Sequence, residues 1–162
     1  MVMKFLLVVL LIVVIAFFIN GIEDYNRRMK AISFRESFDL TGLPVVTFIN
    51  NGNKFNFLLD TGASLSIIDS NIVDKLKNTP TEGKGTVFGM EGNKVDVTYT
   101  DIILEYKNKK FTENFQIVDM KTAFDGVKKE TGVTVHGILG SSFLQNNKYV
   151  LDFKELIAYN KK

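Results

Sequence analysis

Residues 57 to 68 read FLLDTGASLSII, and the middle of that stretch constrains the chain more than any other feature. Apolar residues run straight into Asp60, Thr61-Gly62-Ala63-Ser64 follows, and apolar residues resume at Leu65. A strand leaving a core normally ends in solvated turn residues. Here two apolar arms share one loop that carries a single carboxylate toward an interior. A buried carboxylate is costly unless its charge is stabilised or it keeps a proton. Gly62 permits backbone geometry that brings amide groups close to the carboxylate. Thr61 and Ser64 supply hydroxyls for a supporting network. The bland alternative is an Asp-Thr-Gly turn with no chemistry.

One carboxylate is half of an acid–base pair. Hydrolysis by general acid–base catalysis needs one group to take a proton from water and another to give one to the substrate carbonyl. D-T-G occurs once in the chain, and Asp125-Gly126 and Asp152-Phe153 lack the pattern. If this chain carries out that chemistry, the partner carboxylate must come from a second chain. Ser64 as a nucleophile has no base near it in sequence. His136 is the only histidine and there is no cysteine, which excludes disulfides and thiolate chemistry and argues against a Ser-His or His-rich metal site. His136 precedes Gly137-Ile138-Leu139-Gly140 and reads as a structural residue. Lys and Arg total 20 against 18 for Asp and Glu, a balance that argues against nucleic-acid binding. No metal or cofactor is expected.

The 162 residues suit one domain behind an amino-terminal segment. Phe5 to Ile19 is an unbroken apolar run preceded by Lys4. At about 1.5 Å per residue the run is shorter than the roughly 30 Å hydrocarbon layer, and extension to residues 1–22 with Lys4 snorkelling makes up the length. A cleaved signal peptide has an apolar region of the same size, but small residues are scarce at the junction, with Gly21 the one cut site available. The expectation is a single-pass anchor over 1–22. Its orientation stays open: Arg27, Arg28 and Lys30 follow the span, and the positive-inside rule would hold them inside, whereas a signal-anchor in an exporting bacterium would place the domain outside. Residues 23–38 are mixed in charge and read as a linker, either a tether or a short helix, and 39–162 as the folded domain.

From Asp39 onward the chain is a series of short strand-like runs. LPVVTFIN and KFNFLLD flank the turn signal NNGN, and alternation puts Phe55, Phe57 and Leu59 on one face. LSIID is a further strand, and SNIVDKLKN reads as a short helix capped by Ser70. GTVFGMEGNKVDVTYTDIILEY has two arms about the tip Gly89-Met90-Glu91-Gly92-Asn93. FTENFQIVD is another strand, and 120–132, with Lys121, Lys128 and Lys129, reads as a solvated loop. VTVHGILG is an apolar β run, SSFLQNN one or two helical turns capped by Ser141 or Ser142, and KYVLDFKELIAYNKK a closing hairpin. Many strands and few helices predict an all-β barrel or sandwich.

The order of these features resembles the retropepsin-like aspartic proteases, over roughly residues 40 to 160. Asp60-Thr61-Gly62-Ala63-Ser64 resembles that family's catalytic loop, the Gly89 to Asn93 tip its flap, and Ile138-Leu139-Gly140 its second motif beside the loop. SSFL resembles its short helix and YVLDFKELIAYN the closing hairpin of bacterial members. The resemblance implies a closed β-barrel lobe with one or two short helices. It also implies a homodimeric endopeptidase in which Asp60 of each subunit shares a water. Thr61 would hydrogen-bond across the dimer, while the Gly62 amide and Ser64 hydroxyl would support the carboxylate. Gly89, Met90, Glu91 and Gly92 would close over a peptide substrate. The chain departs from many bacterial members in carrying His136 where they have Asp, and its flap is poorer in glycine than viral ones. A binding module that keeps the fold without proteolysis is the competing class.

Overall fold

Inward-facing Phe55, Phe57 and Leu59 define one wall of the core from β3 (Asn53–Leu59). The computed structural model describes residues 2–88 and 94–160. β2 (Val45–Asn50) pairs antiparallel with β3 in the register Val45↔Leu58 to Asn50↔Asn53. The Asn51-Gly52 turn between them has positive φ at both residues, 48° and 83°, which the tight hairpin turn demands and which Asn and Gly tolerate.

Five further strands build on this pair. β4 (Ser66–Asp69) follows the loop, and β5 (Asn78–Phe88) and β6 (Lys94–Tyr106) form a long antiparallel hairpin. β7 (Lys109–Val118) lies antiparallel to β6 and parallel to β4. β8 (Gly137–Leu139) slots between β3, to which it is parallel, and β4, to which it is antiparallel. The order β2-β3-β8-β4-β7-β6 closes when Ile49 of β2 meets Glu105 of β6, so six strands form a barrel and β5 extends outside it. The result is the expected mostly-β closed barrel. Closure removes the free edges that an open sheet of this size would present.

Phenylalanine fills the barrel. Phe48 is fully buried and meets Phe57, Phe111 and Phe143 edge-on at centroid distances of 5.9, 5.9 and 6.2 Å. Such pairs contribute roughly 0.5–1.5 kcal/mol each beyond the area they bury. Phe143 comes from α4 (Ser141–Asn146), the short helix read from SSFLQNN. Its N-cap is Gly140, and neither serine caps it with a side-chain bond.

Three stretches differ from expectation. Residues 23–38 take the helical alternative in part and are more ordered than a tether: α1 (Val2–Lys30) runs on as far as Lys30, followed by β1 (Ile32–Ser33) and α2 (Arg35–Thr41). β1 pairs with β10 (Ile157–Asn160), itself paired with β9 (Tyr149–Asp152), in a separate three-stranded sheet. Ala31, Ile32 and Phe34 are each only 1 % exposed, and Phe34 packs on Phe153 at 5.6 Å. Three apolar residues inside a charged stretch sufficed to join it to the core. The stretch after Ser70 is a single 3-10 turn, Val73–Lys75, whose N-cap is Ile72 with no side-chain cap, and ahead of it Asp69 accepts from Asn71 N at 3.2 Å and Asn71 Nδ2 at 2.9 Å. The expected loop at 120–132 contains α3 (Lys121–Thr131), closed by Gly132 at φ 76° with its amide on the Lys128 carbonyl. Phe124 and Val127 give it one apolar face against the barrel.

The buried 31–34 segment moves the minimal folding unit upstream of Asp39. A fragment 31–162 should unfold cooperatively at a higher temperature than 39–162, and Phe34→Ala in the longer fragment should cost about 3–5 kcal/mol. Denaturant melts of the three proteins check this, and equal stability of the two fragments would refute it.

Candidate active site

The loop from Asp60 to Leu65 exists because β3 and β4 are both neighbours of β8 and not of each other. It must cross over the end of β8, and the chain there is Leu139-Gly140. The Asp60 amide donates to the Leu139 carbonyl at 3.0 Å, which fixes the strand end carrying the carboxylate. A methyl group placed on Gly140 would lie 2.5 Å from the Leu65 carbonyl oxygen and 2.8 Å from that of Ala63. Glycine at 140 is therefore what lets the loop sit down on the strand.

Beyond Gly140 the start of α4 binds the loop's carbonyls. The Ser141 amide and hydroxyl both donate to the Ala63 carbonyl at 2.8 Å, and the hydroxyl also reaches the Thr61 carbonyl at 3.5 Å. The Ser142 amide donates to the Ser64 carbonyl at 3.1 Å. The Gly62 amide turns inward to donate to Asp60 Oδ1 at 2.8 Å. The carboxylate is thus held by its own loop.

Asp60 is half-buried, whereas Thr61, Gly62 and Ser64 are exposed and Ala63 half-buried. The carboxylate does not enter the interior of the single chain, contrary to the first impression from its apolar flanks. It stands at a strand end on a surface. The apolar flanks reflect the strands themselves, β3 and β4, which line the core on either side of the loop. Ile138 and Leu139, just before Gly140, are both buried. Ser64 engages through its carbonyl. The tip Gly89, Met90, Glu91, Gly92 and Asn93 lies outside the described residues, and only its arms, β5 and β6, are seen.

A second carboxylate lies beneath the loop. Glu113 of β7 is 4 % exposed, and its Oε1 accepts from the Ser66 hydroxyl at 2.7 Å and the Ser142 hydroxyl at 3.2 Å. Ser66 Oγ in turn accepts from the Gly140 amide at 3.1 Å. Glu113 therefore ties β4, β7 and α4 together under Gly140. Desolvation pushes its carboxyl above the usual glutamate range, and the two serine hydroxyls oppose that rise. The phase of β7 reveals it in sequence: Phe111, Glu113 and Phe115 share the inward face, so an acid stands where the pattern calls for an apolar residue.

His136 holds β3 from outside the site. Its Nδ1 accepts from the Asn56 amide at 2.9 Å and its amide donates to the Asn56 carbonyl at 2.8 Å. Burial lowers its pKa, so the ring stays neutral and keeps that acceptor free. On the flank, Phe124 of α3, Val45, Val135 and Ile138 form a small apolar cluster against which Ala63, Leu58 and Ile67 pack.

A family model described as aspartyl protease matches residues 45–143. Among solved structures, EIAV protease complexed with the inhibitor HBY-793 is similar at 24 % identity and a TM-score of 0.47, covering 64 % of this chain and 86 % of that one. No curated protein matches the chain.

Two outcomes are expected. Gly140→Ala should displace the loop and lower stability by several kcal/mol on the scale of overpacking (about 1–3 kcal/mol or more), while Gly126→Ala, exposed on α3 with nothing within 4 Å, should add roughly 0.5–1 kcal/mol. Thermal melts of the pair decide it. Separately, a raised folded pKa means that the stability Glu113 contributes is full below the unfolded glutamate value and is lost as pH rises through the folded one. Glu113→Gln should flatten that decline as pH rises above the ordinary glutamate range, and an unchanged pH–stability curve would contradict it.

Proposed function

Because the chain belongs to the aspartyl protease family, we propose that it is an aspartic endopeptidase that works as a homodimer, with Asp60 from each copy forming one site. The observation that carries this reading is a single Asp-Thr-Gly loop per chain, rigidly held yet with its carboxylate half-exposed on a surface. A site needing an acid and a base then draws on two chains through an isologous contact, the same patch on both.

Two carboxylates a few ångströms apart cannot both ionise cheaply, so the pair holds one proton near neutrality. The ionised Asp60 takes a proton from water as the water oxygen adds to the scissile carbonyl carbon. The protonated Asp60 gives its proton to the carbonyl oxygen. Collapse of the tetrahedral species breaks the C–N bond, and the amine leaves with a proton returned from the pair. Thr61 is assigned the hydrogen bond between the two loops, and the Gly62 amide and Ser64 the support of the carboxylates. Gly89, Met90, Glu91 and Gly92 are assigned the closure over substrate that excludes water.

The amino-terminal helix is assigned the anchor. Val9–Lys30 is long and apolar enough to cross a membrane, and its most apolar window is not buried inside the domain. Leu10, Leu11, Ile12, Phe17 and Phe18 are all more than half exposed, a surface that water tolerates poorly. The protease domain then runs from about residue 31.

Asp60→Asn keeps the size of the side chain but removes the group that takes a proton from water, and in a homodimer it removes both. Cleavage of a peptide library by fragment 31–162, inhibited by pepstatin in the wild type, should fall to background, by more than the roughly 10²–10⁴-fold typical of one acid–base group. Mixed dimers of wild type and variant should be inactive as well. Wild-type rates from a folded Asp60→Asn protein would refute the reading.

A further inference from the structure

A cavity of about 1150 Å³ lies where α1 leaves its apolar run and meets the domain. Its wall on α1 starts at Asn20, the first polar residue after Ile19, and ends at Lys30. Ten residues of helix rise about 15 Å, and a headgroup layer adds roughly 5–8 Å on each side of the hydrocarbon. On the anchor reading above, on which this inference rests, the Asn20 end of that wall lies at headgroup depth and the Lys30 end stands above it.

The chemistry of the lining is cationic and aromatic. Arg27, Lys30, Lys107 and Lys109 face Glu23 and Asp24, and Asp24 is already paired with Arg27 and with Arg28, the latter at 3.1 Å. Lys109 Nζ sits 4.7 Å above the Phe111 ring and 4.9 Å above Tyr149, and donates to the Tyr149 hydroxyl at 3.1 Å. An ammonium has three donors, so this bond leaves others for an anion. The Arg27 guanidinium lies 4.8 Å over Tyr159, and among the described residues its Nε is the one buried side-chain nitrogen or oxygen with no hydrogen-bond partner. Lys107 donates to the carbonyls of Met29 and Ala31 at 3.0 and 3.2 Å and so fixes the helix end to the β6–β7 turn. Cations and phenols lining one cavity at a bilayer surface have the composition that receives a phosphodiester.

We infer that this cavity is a binding site for the headgroup of one anionic glycerophospholipid. It is distinct from the Asp60 loop. Lys109 begins β7 six residues before Phe115, which pairs with Ser66 at the far end of that loop, so at about 3.3 Å per residue the two sites are roughly 20 Å apart along the barrel. Lipid in the cavity would lock α1 to the barrel base and set the height of Asp60 above the membrane.

The test uses the full chain in non-ionic detergent, followed by native mass spectrometry during titration with phosphatidylglycerol, phosphatidylcholine or inorganic phosphate. One phosphatidylglycerol per chain should bind at least tenfold more tightly than phosphatidylcholine, and millimolar inorganic phosphate should not displace it. Lys109→Gln should reduce that preference several-fold, as should Lys30→Gln, whose exposed side chain leaves the fold unaffected; circular dichroism confirms that both are folded. Equal binding of the two lipids, or unchanged preference in both variants, overturns the lipid site. Displacement by inorganic phosphate overturns it in favour of a general anion site. Carbonate extraction of the full chain from membranes separates the two readings: release into the soluble fraction sinks the anchor and the lipid site together, whereas retention without lipid preference sinks the lipid site alone.

Discussion

The approach of Gly140 to the carbonyls of Ala63 and Leu65 is the contact on which the site depends. Strand order places β8 between the two strands that the Asp60 loop must connect, so the loop has no path except over the end of β8. Any side chain at 140 would hold it off. Once the loop is seated, the Leu139 carbonyl and the first turn of α4 take up its amide and its carbonyls, and little freedom remains in the backbone from 60 to 64. Rigidity of this kind matters because acid–base chemistry across two chains requires each carboxylate to be held to within about half an ångström without help from substrate.

Glu113 extends that seating into the core. A buried acid is a poor stabiliser, since its charged form loses hydration that two serine hydroxyls only partly restore. Its position explains its presence. Through Ser66 it fixes the hydroxyl that receives the Gly140 amide, and through Ser142 it orients the helix whose first turn binds the loop. The hydrogen-bond chain therefore runs from β7, across β4, to the residue under the loop. An apolar residue at 113 would leave the Ser66 and Ser142 hydroxyls without that acceptor.

Those parts of the fold that rest on alternation and on turn chemistry were legible in the sequence. FLLDTGASLSII, the Asn51-Gly52 hairpin and the apolar run ending at Gly140 each announce themselves locally, because one strand face or one positive φ specifies them. What escaped was set by tertiary contact. The helix over Lys121–Thr131 contains Gly126, starts at Met120 without a side-chain cap, and forms because Phe124 and Val127 find Ala63, Leu58 and Ile138 to cover. The segment Ala31–Phe34 has only three apolar residues among charges, and its partner strand lies more than a hundred residues downstream. Asp60 itself was legible as a loop residue but not as a half-exposed one, since its flanks describe the strands and not the surface at which they end.

The proposed anchor and the proposed shared site would constrain each other through symmetry. Two chains inserted in one bilayer with the same orientation can be related by a two-fold axis only if that axis runs along the membrane normal. In the proposed dimer the Asp60 loops would then meet on that normal, about one barrel length from the cavity beside α1, with the two α1 helices on either side of it. Confinement to a plane raises the concentration of each chain around the other, so a contact too weak to persist in dilute solution suffices on the membrane. Assembly, and with it the acid–base pair, would then depend on how densely the chain populates its membrane.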